Sequence, residues 1–484
     1  MHLSYLLGLD CGLTNVKAAI FSLDGRKISE ASASTPVYGF NIDTVLLRER
    51  AFAVVRQAVE TAQINADHIL AVGLSGHGNG LYAMDEAGAV VEAMTPMFHE
   101  NREAVDAFGR SEAYERFYEL TNQSCWGGQP MQILAWLKKE RPAQYARVRT
   151  IVMNKDYIRY CLTGNISTEY TDLDASALLP HDPGVHAGEL FALSGVYEKV
   201  GSIPEPGHCY AAGGRISAET AVQTGLPEGI PVACGAIDIC ACMLGAGVTA
   251  PGRYSITAGT WAITASVLEK EVKARQLTQV SAFADGFHKM AIVSAPTSCV
   301  NLEWFISAIR PGLTYTEANA IAAGFRPDEV NALFLPYLYQ DMAMPDVPCG
   351  WIGLKPGDTW REMLRAVYEG VAFAHRFQLD RMREAGIHSQ CAMLSGGAAA
   401  SDVWCQLFAD VLQIQIDTAS EKQVGALGAA MMAAVCAGVY PSLSDAAGRM
   451  VRKDRHYEPS KAFLYQRKYE NFKRMVKASL WTSV

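Results

Sequence analysis

Asp10 and Thr14 lie in a glycine-containing turn between two apolar segments, in the stretch LGLDCGLTNVKAAIFSLDG. The apolar segments favour a β-hairpin whose turn brings the carboxylate and the hydroxyl together. Gly12 allows backbone N–H groups to approach phosphate oxygens. A carboxylate does not itself hold a phosphate, but it can hold hydrated Mg²⁺, which bridges to phosphates. The motif therefore predicts part of a metal–phosphate site, and it fits equally well a plain hairpin whose Asp caps the turn.

Two common nucleotide-binding motifs do not fit this stretch. The G-x-G-x-x-G fingerprint fails because Asp10 stands where a pyrophosphate would approach the backbone, and because a second strand, not a helix, is expected to follow. The chain also contains no G-x-x-x-x-G-K-[ST] sequence. Neither a dinucleotide fold nor a P-loop is predicted.

Two further glycine turns occur in the second half of the chain. TAGTWA at 257–262 offers the Gly259 N–H and the Thr260 hydroxyl, so two similar hairpins facing a cleft could hold one polyphosphate from both sides. In LSGGAAASDVW, Gly396 and Gly397 lie at a strand-to-helix turn, which suits close approach of a flat adenosine. For these two glycines, close helix packing is the alternative.

The elements that position these turns follow the same order twice. The first half reads as three strands, a helix over 43–63 and the strand ILAVGLSG. The second half has the hairpin GRYSITAGTWAITASVL, a long amphipathic helix from PGDTW onwards, and a strand–turn–helix–strand from AMLSGG. Between them, IPVACGAID runs as a buried strand into Asp238, and ICACMLGAG continues as a buried helix. The pattern predicts a duplicated α/β fold with its ligand between the halves.

Composition narrows the class of protein. The 484 residues exceed what one core accommodates, so we expect at least two domains. Half of the residues are apolar and 19% are charged, which is ordinary globular composition. The net charge of −8 argues against nucleic-acid partners and anionic membranes. The alanine-rich GALGAAMMAAVCAGVY is shorter than a membrane span and predicts a buried helix. The N-terminus lacks the features of a signal peptide, and twelve cysteines show no paired spacing, so we expect reduced thiols and a cytoplasmic protein.

The chain resembles the FGGY carbohydrate kinases in a series of segments that span nearly its whole length. These segments occur in the family's order and are GLDCGLT, GLSGHGNG, NKDYIRYCLTG, GAIDICACMLGAG, AGTWA, FLPYLYQD, YEGVAFAHR, LSGGAAASDVWCQLFADVL and GALGAAMMAA. The resemblance implies a duplicated actin/hexokinase-like (ribonuclease H-like) fold, with two domains, 1–245 and 246–484, around a central cleft. It also implies transfer of the γ-phosphate of ATP to a sugar hydroxyl with Mg²⁺. Within the family, CWGGQPMQILAWLKKE, SAPTSCVNLEWF and GTWA resemble the L-xylulose (3-keto-L-gulonate) kinases.

The resemblance assigns the phosphoryl-transfer residues. Asp238 becomes the general base that accepts the proton of the attacking hydroxyl, and its place at a helix N-terminus should favour the ionised form. A simple N-cap role is the alternative for Asp238. Asp10 becomes the Mg²⁺ site, through water. Lys17 either adds positive charge or faces solvent, since its alternation along the strand fits both. The remaining phosphate and ATP positions are Gly12, Thr14, Gly259, Thr260, Gly396, Gly397 and Ala398.

The sugar site implied by the resemblance lies in three loops. Its residues are Ser75, His77, Gly78, Asn79, Asn101, Arg102, Trp126 and Asp238. Relatives usually carry Asp where this chain has Asn101, so one acceptor becomes a donor and a negative charge is lost, which suits an acidic sugar such as a keto-gulonate. Arg102 could bind a carboxylate or a hydroxyl; a surface ion pair with Glu100 or Glu103 is its alternative.

Some segments and partners are interpreted without a catalytic role. Asp156 in KDYIRY and the segment DLDASALLP at 172–180 are expected to be structural. The expected partners are ATP and a sugar, with a homodimer left open. Other activities weighed are a D-xylulose, ribulose or polyol kinase, and a non-catalytic actin-like nucleotide-binding regulator. The acidic pair and the polar SGHGN loop favour the kinase, because a regulator that does not phosphorylate sugars has no use for them.

Overall fold

The computed structural model describes residues 4–182, 184–339 and 347–479. Gln340 and Asp341, which end the FLPYLYQD segment, lie outside the described residues. In chain order the elements of the first half are β1 (Tyr5–Cys11), β2 (Asn15–Ser22), β3 (Lys27–Ser34), β4 (Val37–Tyr38), β5 (Asn41–Ile42), α1 (Thr44–Ala62), β6 (Ile69–Gly76), β7 (Leu81–Met84), β8 (Val90–Met94), α2 (Arg102–Gly109), α3 (Glu112–Thr121), α4 (Pro130–Glu140), α5 (Pro142–Arg147), β9 (Thr150–Val152), α6 (Asn154–Thr163), β10 (Thr168–Glu169), α7 (Tyr170–Ala175), α8 (Gly188–Leu193), β11 (Pro206–Gly207), β12 (Ala212–Arg215), α9 (Ala218–Thr224), β13 (Pro231–Ala233), β14 (Ala236–Ile237) and α10 (Asp238–Gly245).

The second half repeats the arrangement of a hairpin followed by parallel strands. Its elements are β15 (Tyr254–Ala258), β16 (Ala262–Val267), β17 (Gln279–Ala282), β18 (Lys289–Ala295), α11 (Val300–Trp304), α12 (Tyr315–Ala323), β19 (Leu333–Leu335), β20 (Gly350–Ile352), α13 (Trp360–Glu384), β21 (Cys391–Ser395), α14 (Asp402–Leu412), β22 (Gln415–Ala419), α15 (Val424–Cys436), α16 (Leu443–Met450), β23 (Lys453–Tyr457) and α17 (Ala462–Ser479).

Local sequence signals explain where several helices begin and end. The Asp43 carboxylate accepts from the Leu46 N–H at the start of α1, and Thr359 and Glu362 form a capping box at the start of α13. Gly164, with φ of +72°, ends α6 in the left-handed conformation, as its sequence predicts. These caps confirm the helix boundaries expected in both halves.

The two large sheets share one topology. In the first, the strand order is β12-β13-β6-β1-β2-β3, and β14 also pairs with β6. In the second, the order is β17-β18-β16-β15-β21-β22-β23. The hairpin strands β1 and β15 each pair antiparallel with the next strand and parallel with a later one, β6 and β21. The duplicated α/β fold predicted from the sequence is confirmed.

Helices α10 and α15 pack against each other between the two sheets. The alanine-rich α15 is buried, as predicted, and lies on β1 and β6 of the first sheet. Glycines make the contact close, because a Cβ on Gly8 would lie 1.9 Å from the Ala426 carbonyl oxygen and one on Gly73 1.8 Å from that of Ala429. The apolar cluster around these helices includes residues of both sheets. Along the described parts of the chain, none of the helices is long and apolar enough to cross a membrane.

Candidate active site

Asp10 lies near the carboxyl end of β1, which pairs parallel with β6 on one side and antiparallel with β2 on the other. It stands opposite Ser75 of β6 in the parallel register, and the Ser75 hydroxyl donates to its Oδ1 over 2.6 Å. Beside them, β14 pairs with β6 and ends at Ile237, immediately before Asp238. Carboxyl ends of parallel strands meet at one sheet edge, where open α/β sheets bind ligands. The structure therefore brings Asp10, Ser75 and Asp238 together.

Asp238 is the first residue of α10, and Ile237 occupies the N-cap position. The simple N-cap alternative is therefore wrong. The Asp238 Oδ1 accepts from the N–H of the next residue, Ile239, over 2.7 Å. The Ile239 N–H at the start of α10 lowers the pKa of Asp238, as expected of a helix N-terminus, but burial and the nearby Asp10 charge outweigh it and raise that pKa to about 8. Asp238 thus holds a proton far more firmly than an exposed carboxylate.

The hairpin turn after Asp10 presents its polar groups outward. The Gly12 N–H donates to the Asn15 carbonyl and the Gly12 carbonyl accepts from the Thr35 hydroxyl, so the turn is tied down. Thr14 is exposed. Lys17 is half-buried and stands opposite Asp10 in the antiparallel register. Burial raises the pKa of Asp10, and the Ser75 hydroxyl and the Lys17 charge oppose that rise.

The matching turn of the second half is supported by a neighbouring loop. The Cys299 N–H donates to the Gly259 carbonyl and the Ser298 N–H to the Thr260 carbonyl, which leaves the Thr260 side chain exposed. Gly396, at φ of +84°, lies against this hairpin, since a Cβ there would be 2.5 Å from the Ala258 carbonyl oxygen. The structure therefore joins two of the predicted ATP-side turns.

The three residues predicted for the adenosine-side turn differ in their exposure. Gly396 and Gly397 are exposed at the end of β21. Ala398 is fully buried, and its carbonyl accepts from the Ser401 N–H at the start of α14. Only the two glycines therefore present backbone to a ligand.

The loop Ser75 to Asn79 is buried and rich in unpaired polar atoms. His77 Nε2 lies 3.3 Å from the Tyr82 hydroxyl, which accepts from Asn154 Nδ2. His77 Nδ1 and Asn79 Oδ1 are buried and have no hydrogen-bond partner in the described residues. Burial lowers the pKa of His77 to about 4, so its ring is neutral at physiological pH. Gly78 packs against Ile237, where a Cβ would lie 2.2 Å from that side chain, so this loop directly adjoins Asp238.

The second predicted sugar loop has a distinct local structure. Asn101 is buried, and its Nδ2 donates to the Gly127 carbonyl over 3.0 Å, beside the half-buried Trp126. Its Oδ1 is buried and unpaired within the described part of the chain. An aspartate could not make this donor contact, which gives the departure from the usual residue a local reason. Arg102 is not joined to the group, because its side chain is 68% exposed and its ion pair, at 4.0 Å, is with Asp106.

Sequence reasoning missed two buried polar groups beside this loop. Asp172, in the segment expected to be structural, has an unpaired Oδ1 3.5 Å from where a Gly78 Cβ would stand. Burial raises its pKa to about 7, although Lys155 opposes the rise. Asn154 Oδ1 is likewise unpaired, and it lies 2.6 Å from the position of a Gly76 Cβ. The two aspartates in DLDASALLP were the feature of the sequence that could have indicated a polar site there.

Asp156 has a structural role, as expected: its Oδ2 accepts from the Met153 N–H at the start of α6.

The residues around Asp10 fit a magnesium ion that is held by one carboxylate and mainly by the phosphates of ATP and water. Asp10 Oδ2 faces Gly425 at the start of α15, where a Cβ would lie 2.7 Å from that oxygen, so a side chain at this position would crowd it. Over the described ranges, no three acidic, histidine or cysteine side chains are grouped as a complete metal site. Mg²⁺ on ATP usually takes one or two carboxylates and completes its shell with phosphates and water. One half-buried carboxylate with one free oxygen meets that requirement.

Comparisons with known proteins cover nearly the whole chain. The model of the FGGY family of carbohydrate kinases matches with its N-terminal domain at residues 5–245 and with its C-terminal domain at 254–437. An L-xylulose/3-keto-L-gulonate kinase of Escherichia coli (strain K12) is 31% identical over 98% of this chain and 97% of its own length. A probable L-xylulose kinase of Pasteurella multocida is 28% identical over 98% and 99%. The crystal structure of xylulose kinase from Rhodospirillum rubrum superposes with a TM-score of 0.87 at 24% identity, covering 98% of both chains.

Proposed function

The chain belongs to the FGGY family of carbohydrate kinases and is an ATP-dependent sugar kinase, and from that premise we propose that its acceptor is a ketose of the L-xylulose or 3-keto-L-gulonate type, with Asp238 as general base. The observation that carries the proposal is the placing of Asp238 beside both Asp10 and the polar loop Ser75 to Asn79. One carboxylate adjoins the sugar loop and the other adjoins the phosphate hairpin, as phosphoryl transfer requires.

In the proposed reaction Asp238 accepts the proton of the attacking sugar hydroxyl. As that proton moves to the carboxylate, the sugar oxygen forms a bond to the γ-phosphorus, the bond from phosphorus to the β-γ bridging oxygen breaks, and ADP leaves. The ionised form of a carboxyl with a pKa near 8 is a stronger base than an ordinary carboxylate, and the fraction of Asp238 in that form rises with pH. Such a base contributes about 10²–10⁴-fold to a rate.

The remaining groups orient ATP and neutralise the negative charge of its phosphates. Asp10 would hold a magnesium ion, which would supply positive charge to the phosphates. The hairpin turns at Thr14 and Thr260 offer exposed hydroxyls to the same phosphates, whereas the Gly12 and Gly259 N–H groups already donate to the Asn15 and Trp261 carbonyls. Gly396 and Gly397 leave open backbone for the adenosine. These roles divide ATP binding between both halves of the fold.

The sugar is selected by buried polar atoms that have no partner within the described chain. His77 Nδ1, Asn79 Oδ1 and Asn101 Oδ1 are three such atoms in the two proposed sugar loops. A sugar whose hydroxyls meet them satisfies these groups, while a wrong epimer leaves them unpaired in a buried site. This supports a polyhydroxylated ketose, and the relatives named for L-xylulose indicate which to try first.

The test measures the release of ADP in the presence of each candidate sugar with a coupled assay. The panel consists of L-xylulose, 3-keto-L-gulonate, D-xylulose, D- and L-ribulose, hexuloses, glycerol and erythritol. We expect the highest kcat/KM for L-xylulose or 3-keto-L-gulonate, and a preference for D-xylulose, ribulose or a polyol would replace that substrate with the family alternative. Activity on none of them would overturn the proposed acceptor class. Full-length matches to kinases favour an enzyme over a non-catalytic regulator.

Asp238→Ala tests the base. We expect kcat to fall about 10²–10⁴-fold with the fold intact by circular dichroism, since the alanine side chain has no group to accept the hydroxyl proton in this position. The matched control is Asp328→Ala, a surface carboxylate whose side chain is 57% exposed. Near-normal turnover of Asp238→Ala would remove Asp238 from the base role. The cytoplasmic location, the homodimer and the domain division at residue 245 stay predictions.

A further inference from the structure

Five charged side chains form a fully buried cluster behind the proposed base. Its members, each with a completely inaccessible side chain, are Lys155, Asp156, Arg159, Glu169 and Asp172. The Lys155 ammonium lies 2.8–3.1 Å from three carboxylates, and Arg159 pairs with Asp156 at 2.9 Å. Buried ion pairs rarely add stability over apolar packing, because the desolvation cost offsets their attraction. Such a cluster calls for a role other than stability.

The cluster holds both ends of the short segment that leads to Asp238. At one end, Arg159 Nη1 donates to the Cys234 carbonyl. At the other end, the Ile237 N–H donates to the Thr171 hydroxyl over 3.2 Å. That hydroxyl in turn donates to Glu169 Oε1, which accepts from Lys155. Ile237 is the residue directly before Asp238, so a hydrogen-bonded chain links the cluster to the backbone of the proposed base.

The held segment needs such support because it turns sharply. Gly235 has φ of +80°, a conformation in which glycine is favoured, and it breaks the strand between β13 and β14. A Cβ at Gly235 would lie 2.4 Å from the Leu74 carbonyl oxygen of β6, so the segment has little room to shift sideways there. Rotation about the Gly235 backbone would move Ile237 and Asp238 together unless their far end were tied. The pairing of β14 with β6 supplies one tie, and the Thr171 hydroxyl supplies a second at the Ile237 N–H.

We infer that Thr171 is a positioning residue for Asp238, acting through the Ile237 N–H and anchored by the buried cluster of Lys155, Asp156, Arg159, Glu169 and Asp172. The inference rests on the proposed base role of Asp238. It predicts that loss of the Thr171 hydroxyl lowers the rate of phosphoryl transfer with little effect on substrate binding. A misplacement of about 1 Å can cost about 10²-fold in rate, so a fall in kcat of about 10–100-fold is expected.

The test compares three threonine variants by kcat and by KM for sugar and for ATP. Thr171→Val removes the hydroxyl at nearly constant volume, and Thr171→Ser restores it. Thr168→Val is the matched control, because the buried Thr168 hydroxyl donates to Asp156 Oδ2 in the same cluster and no described hydrogen bond joins it to Ile237. We expect Thr171→Val to lose kcat as above with both KM values within about twofold, and Thr171→Ser and Thr168→Val to stay within about threefold of the wild-type kcat.

Each other outcome has a defined meaning. A wild-type kcat in Thr171→Val overturns the inference, since the bond to the Ile237 N–H would then not affect the rate. An equal loss of kcat in Thr168→Val also overturns it, since the loss would then not depend on that bond. If the valine variant does not fold, Thr171→Ala gives the same comparison with a small cavity in place of a buried methyl group facing the Ile237 N–H. Asp238→Ala measured alongside separates the premise from the inference: turnover there refutes the base role, whereas an inactive Asp238→Ala with an active Thr171→Val refutes only the positioning.

Discussion

Asp238→Asn removes the proposed base, and it should make the protein more stable than the wild type by an amount that grows as the pH rises. The folded-state pKa of Asp238 is about 8 against an ordinary 3.8, because of burial and the neighbouring Asp10 charge. Between these two values the folded state binds a proton that the unfolded state does not, so the wild-type protein loses stability as pH rises. Below 3.8 both states are protonated and there is no such loss. The asparagine side chain has no proton to lose, so its advantage grows across this window.

The size of the effect follows from the pKa difference. Each pH unit in the window changes the free energy of unfolding by up to about 1.4 kcal/mol, so the upper limit between pH 5 and pH 8 is about 4 kcal/mol. Asp238 is partly accessible to water, and we therefore expect a gain of about 1–4 kcal/mol for Asp238→Asn. For a chain of 484 residues that unfolds as one unit, that gain corresponds to roughly 1–4 °C in the difference between the two melting temperatures.

The assay is thermal unfolding of both proteins at pH 5, 6, 7 and 8, with EDTA and without ATP, so that no cation neutralises the site. Asp328→Asn, at an exposed carboxylate, serves as the control and should track the wild-type protein at each pH. If the melting temperatures of wild type and Asp238→Asn change in parallel with pH, the argument that burial raises the pKa of Asp238 is refuted. That result would leave the catalytic role to be decided by turnover alone.

Two further substitutions test the packing and the sugar loop. Gly73→Ala places a Cβ 1.8 Å from the Ala429 carbonyl oxygen, so β6 and α15 must separate by about 1.6 Å to reach van der Waals distance. We expect this substitution to cost at least about 3 kcal/mol in the free energy of unfolding, measured by urea unfolding. Gly448→Ala, with no atom within 4 Å, should be neutral or gain up to about 1 kcal/mol, and equal effects of the two substitutions would contradict the close packing. Asn101→Asp loses the donor to the Gly127 carbonyl and adds a negative charge. Because that charge repels an acidic sugar, we expect kcat/KM for 3-keto-L-gulonate to fall about tenfold more than kcat/KM for L-xylulose. An equal fall for both sugars would show that Asn101 does not determine a preference for an acidic acceptor.

The fold was predictable because its signals are local and occur twice. Alternating apolar strands, a turn with glycine and a hydroxyl residue, and an amphipathic helix appear in both halves, so the duplication follows from pattern without sequence identity. The turn at Gly164 and the caps of α1 and α13 depend on a few neighbouring residues. The order of strands in each sheet was not read from the sequence, since strand pairing depends on contacts between distant residues.

The charge state of the site was not predictable from local signals. The expectation that the N-terminus of α10 favours an ionised Asp238 considered only the eight residues of that helix. The pKa is set instead by burial and by Asp10, which is 228 positions away in the chain but meets Asp238 across β6. The structural reading of DLDASALLP was correct for most of the segment but missed Asp172, whose unpaired oxygen lies behind the sugar loop.

The site also depends on the contact between α10 and α15, which no single motif reveals. Helix α10 begins at Asp238, and α15 begins beside Asp10, where Gly425 faces the carboxylate. Gly428 brings the two helices together so closely that a Cβ there would lie 2.0 Å from the Ala241 carbonyl oxygen. Because each helix starts at one of the two carboxylates, their packing fixes the separation between the proposed base and the proposed metal ligand. The glycines of GALGAAMMAA, which look like ordinary small residues of a buried helix, therefore bear on catalysis as well as on stability.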